Sequence, residues 1–322
     1  MRVDRERILK ELTFWLRPGF LLRCAQRFSA VEGIDRSIAL ASSAFTAIIP
    51  LSVLLGAVLP RVGEEDTAER LIDNLDLSGA GAEAVRQAFA PAEGTETSIG
   101  IMGALLLVIT VLAFSRAVQR LVERTWELPA LSVRNTRGGL EWIAGMVLFV
   151  ALGGALTALF DGPVFALVGT AIALAEGVVF LIWSGWVLSA KRVVWRRLLP
   201  FALLAAAGLG TYGVVSDLWL PQLFNTYTER YGVIGATFAL ISWLFGAMVI
   251  LVVASAIGRE VSDELERIRA GERESQDAVL AEWDGARQQA EQVRDETRVR
   301  WDAWRRRRAA KRAGDGPGAG EP

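Results

Sequence analysis

Glu176 has the clearest claim on chemistry in this sequence. It sits at the centre of an apolar run, Val164 to Leu188. A charged side chain at mid-membrane costs about 2.5–3.5 kcal/mol even on lenient insertion scales. A carboxyl kept at that cost serves either as a proton or substrate group facing a cavity, or as a lock between two helices. The sequence leaves both open. Ser42 and Thr46 in another apolar run, and Tyr212 in a third, are candidate pathway groups. Tyr227 and Tyr231, with Asp217 and Asn225, form a polar group just before the last run. In hydrocarbon such hydroxyls bond back to their own helix or across to a neighbour. Other chemistry is excluded by residue type. The chain has no histidine and one cysteine, Cys24. A Ser–His–Asp triad and a histidine-rich metal hydrolase site therefore cannot form. No GxxxxGK[ST] phosphate loop is present. No enzyme activity, metal site or cofactor is expected.

The elements that position these groups are membrane spans. Apolar residues make up 52 % of the chain and come in blocks long enough for the ~30 Å hydrocarbon core. The reading is an all-α, polytopic transmembrane bundle with six spans, at about 37–59, 99–114, 142–160, 164–188, 198–218 and 233–257. Residues 1–36 form a cytoplasmic, amphipathic segment at the membrane surface, interrupted near Pro18-Gly19. No cleavable signal peptide is expected, and the first span would act as an uncleaved anchor. Residues 60–98 form an outer loop of two short helices, with nine acids against three arginines. Residues 263–322 are a charged cytoplasmic tail with a thin apolar seam and a disordered Gly/Pro end. Arg305 to Arg308 there suit anionic lipid headgroups.

Basic residues set the orientation. Segments 1–36, 116–140 and 189–198 hold 8, 5 and 4 Lys/Arg; the opposite loops 60–98, 161–163 and 217–231 hold 3, 0 and 1. The positive-inside rule puts both termini in the cytoplasm.

The last span carries a more specific pattern. Tyr227, Tyr231-Gly232, Ile234-Gly235-Ala236, Trp243 and Gly258-Arg259-Glu260-Val261 resemble the closing span of the YihY/BrkB family of bacterial inner-membrane proteins. Span one, with Pro50, is similar to the family's proline-ended segment. Arg116, Gln119, Trp126 and Pro129 match its arginine-containing helix after span two. The resemblance covers about residues 10–262. Three residues depart from it: Phe45 stands for a tyrosine, Glu123 for an asparagine, and Phe245 for an aromatic hydroxyl. It implies six spans with both termini inside a bacterial cytoplasmic membrane. Family members have carried a ribonuclease label and a virulence label; a chain without histidine gives the first no support.

The function expected is a gradient-driven or passive transporter, flippase-like, for a lipid or other envelope-related solute. The alternative is a non-transporting envelope scaffold acting through tail and outer loop. Expected partners are membrane lipids, with self-association left open and no nucleic acid.

Overall fold

The computed structural model describes residues 13–58, 69, 98–131, 136–159, 166–272, 274–275 and 277–288. Among them there is no strand. The helices are α1 Pro18–Ala30, α2 Gly33–Val58, α3 Ser98–Thr125, α4 Thr136–Leu159, α5 Ala166–Leu188, α6 Trp195–Tyr231 and α7 Val233–Arg269. A further helix, α8, covers 277–288. The outer loop, apart from residues 69 and 98, lies outside the described residues, as do Arg305 to Arg308. Pro50 lies within α2, but its side chain is also outside them.

Helices run well past the apolar stretches that announce them. α6 and α7 have 37 residues each, about 55 Å, against a ~30 Å hydrocarbon core. Residues 217–231, expected as a loop, continue α6 to Tyr231. Hydropathy marks where the solvent changes, whereas a helix ends only where its backbone finds another partner. Here that point is Gly232, with φ 62°, whose N–H donates to the Thr228 carbonyl at 2.8 Å. α4, α5, α6 and α7 are long and apolar enough to cross a membrane. Their outward faces agree: Leu148, Val179, Val214, Leu218 and Ile234 are each at least 66 % exposed. That many bare aliphatic side chains fit an apolar solvent.

The chain divides into two compact units, Cys24–Glu266 and the two ends, Met1–Arg23 with Arg267–Pro322. Within the larger unit α6 and α7 run antiparallel along a seam of small residues. Gly258 of α7 lies directly on the backbone of Phe201. A turn or two further along, a Cβ at Gly208 of α6 would come 2.7 Å from Ile250. Next, Gly246 of α7 receives the Tyr212 ring, and Trp243 Nε1 donates to Ser216 Oγ at 3.0 Å. At the reversal Gly235 abuts the Tyr227 carbonyl. Three of these glycines lie on α7 and one on α6, so α7 supplies most of the holes and α6 most of the knobs. α7 also packs on α2 and α3: Val252 meets Leu40 and Leu121, and Leu244 meets Ala41 and Ala44. α4 and α5 join through Trp142 Nε1, which donates to Ser184 Oγ at 3.0 Å, and through the stacked rings of Phe149 and Phe180.

In the smaller unit the start of the tail packs on the N-terminal segment. Arg17 is fully buried, lies over the Phe14 ring at 4.3 Å and pairs with Glu274 at 3.0 Å. Glu282 of α8 accepts the Gly19 N–H at 3.1 Å, and Trp283 Nε1 donates to the Thr13 carbonyl at 3.3 Å. The apolar seam at Val279 and Trp283 is thus used within the chain.

The seam makes a direct prediction. Gly258→Ala should destabilise the bundle by about 1–3 kcal/mol, because its methyl meets backbone that cannot give way. Gly213→Ala, which meets nothing within 4 Å, should be neutral or slightly stabilising. Thermal unfolding of both variants in detergent checks the difference; equal Tm values would contradict the seam.

Candidate functional site

The five candidate pathway residues do not converge on one lining. Ser42 and Thr46 lie on an exposed face of α2, where Thr46 Oγ1 donates to its own helix at the Ser42 carbonyl, 2.9 Å away. Tyr212 is half-buried in the α6–α7 seam and donates to the Trp243 carbonyl at 3.0 Å. Tyr227 and Tyr231 are exposed on the last turns of α6, with ring centroids 6.4 Å apart. Glu176 is half-buried on α5 and faces α4, where a Cβ at Gly153 would lie 3.4 Å from its Oε2. Its Oε1 is shielded from solvent and has no hydrogen-bond partner among the described residues. The two missing hydroxyls of the family pattern have a local meaning: Phe45 and Phe245 flank the same apolar cluster around Ala41, Ala44 and Leu244.

The matched residues after span two and at the end of α7 do converge. Gly258 lets α7 close on Phe201, and Phe201 stands edge-on to Trp126 at 6.0 Å. One turn of chemistry further, Glu260 is buried and accepts from Arg27 Nε at 2.5 Å. Arg27 Nη1 also pairs with Glu127 at 3.0 Å, and Arg27 reaches Asp263 at 3.7 Å. Asp263 in turn pairs with Arg259 at 3.1 Å and Arg197 at 3.6 Å, and Arg197 bridges to Glu266. Burial opposes the Arg27 charge, but its bonds to Glu260 and Glu127 outweigh that and hold the guanidinium above its ordinary pKa. Gln119 donates to Glu123 at 2.8 Å, and the buried Glu123 also accepts the Leu131 N–H at 3.1 Å and pairs with Arg192 at 3.5 Å. The departure from asparagine at 123 thus comes with its own cation.

Beside this network lies a cavity of about 740 Å³. Its polar walls are Arg27 from α1, Arg36 from α2, Arg120, Glu123 and Arg124 from α3, and Glu127 just after it. Neither Glu260 nor Glu176 lines it, although Arg27, the partner of Glu260, does. Sequence reasoning missed the cavity. The usable signal was the four-residue spacing of Arg116, Arg120 and Arg124, which places them on one helix face.

A family model described as Virulence factor BrkB matches residues 24–278. The match covers all of the larger compact unit. Neither the search of curated proteins nor that of solved structures finds a match.

Removing Arg27 leaves Glu260 buried without its partner. Arg27→Ala should cost about 3 kcal/mol. The pair Arg27→Ala/Glu260→Ala should recover part of that, with a coupling above ~1 kcal/mol in a double-mutant cycle of unfolding free energies. Additive single effects would mean the contact contributes nothing.

Proposed function

The chain belongs to the Virulence factor BrkB family, and from that premise we propose a transporter of the bacterial cytoplasmic membrane, flippase-like in character, acting on a lipid or other envelope-related solute. In this reading six spans cross the membrane, both termini are cytoplasmic, and no enzymatic step is involved. Drive comes from a gradient or from the solute itself, since no phosphate loop occurs in the sequence. The observation that carries the reading is the polar cavity beside the Arg27 network, large enough for a headgroup or metabolite. Basic residues concentrate at that end, which under the positive-inside rule faces the cytoplasm. Glu176 is the second candidate group, its shielded Oε1 supporting a part in coupling or proton movement.

A scaffold reading is supported by one observation. α8 and the N-terminal segment form an ordered unit of their own, a surface that another protein can recognise.

The two readings separate in a deletion strain whose envelope lipids and metabolites are compared after complementation. For a transporter, Glu176→Gln fails to restore the wild-type profile, whereas truncation after Arg269, which removes α8, restores it. The reverse pattern favours the scaffold. Topology is checked independently with a periplasmic reporter fused at residue 80, which should be active; a silent one overturns the orientation.

A further inference from the structure

The cavity contains more positive charge than its own acids neutralise. Glu127 is committed to Arg27, and Glu123 is committed to Gln119, the Leu131 N–H and Arg192. What remains is Arg36, Arg120 and Arg124. Arg36 donates to the Val31 carbonyl at 2.8 Å and, among the described residues, its ion pair is with the exposed Glu32, at 3.7 Å. Arg120 and Arg124 are exposed side chains that line the cavity and have no hydrogen bond or ion pair with any described residue. They sit four residues apart on α3, a spacing at which like charges repel. Burial first, and then Arg124 and Arg120, pull the Arg36 guanidinium below its ordinary pKa.

We propose that Arg36, Arg120 and Arg124 form a binding site for a phosphate-bearing anion within this cavity. Guanidinium groups present planar pairs of N–H donors that match phosphate oxygens two at a time. Three of them around one space offer more donors than a single phosphate can use, so the ligand is bound by charge and fork geometry together. The phosphate belongs either to a lipid headgroup or to a soluble solute. As a binding site the cluster stands alone; as a substrate site it rests on the transport reading.

The test uses the full chain in nanodiscs of phosphatidylcholine. One arm titrates inorganic phosphate by calorimetry. The other adds phosphatidic acid to the bilayer and counts retained molecules by native mass spectrometry. Arg120→Gln/Arg124→Gln is compared with Arg230→Gln, an exposed arginine at the far end of α6. Each lost charge-assisted contact should weaken binding about tenfold or more. The double variant should therefore bind at least ~100-fold more weakly in one arm, and Arg230→Gln within about twofold of wild type. The arm that loses binding identifies the source. Because repulsion is relieved, the Tm of the double variant should hold or rise; a purely structural pair would lower it. Equal binding by wild type and the double variant, or no binding in either arm, overturns the site. If binding falls but the double variant still complements the deletion strain, the site survives and its role in transport does not.

Discussion

The close approach of α7 to α6 is the constraint on which the rest of the larger unit depends. In an apolar solvent little is gained by burying one aliphatic side chain against another rather than against lipid, so helices associate through contact and hydrogen bonding. Gly258, Gly208, Gly246 and Gly235 permit that contact at successive points. Their positions leave α7 little freedom to slide along α6. With the register set, α7 presents Val252 and Leu244 to α2 and α3, and Glu260 to Arg27. The polar network therefore inherits its geometry from a seam in which charge plays no part.

The network shows the opposite economy. Its members range from the buried Glu260 to the exposed Glu127, and each is tied to an opposite charge or a backbone group. Removing a single member leaves another buried charge exposed to the full cost of desolvation. Arg27 joins α1 to the segment after α3 and to α7 in one step. The cavity beside it shares Arg27 with the network, so one of its walls is fixed by bonds to Glu260 and Glu127.

Much of the fold was readable from the chain. Apolar blocks gave the helices, and the interruption near Pro18-Gly19 falls where α1 begins. The closing pattern gave the family, because Gly235, Trp243, Gly258 and Glu260 each meet a specific partner. What the sequence hid were relations between distant residues. That Glu123 would find Arg192, or Arg36 face Arg124, depends on how three helices lie together. The reach of α6 through Asn225 and Tyr227 was hidden for a different reason. A polar stretch can stay helical even through Pro221, and composition alone reads it as loop. The pairing of α8 with Thr13 and Gly19 joins residues about 270 positions apart, beyond any local pattern.

The exposed aliphatic rim formed by Leu148, Val179, Val214, Leu218 and Ile234 has a thermal consequence. In water, unfolding uncovers apolar surface, which raises the heat capacity and bends the stability curve into a dome. These side chains contact hydrocarbon before and after the helices separate. The change in hydrated apolar area is small, so the curve for helix dissociation in detergent should be shallow. Cooling should then weaken this bundle far less than it weakens a water-soluble domain of similar length.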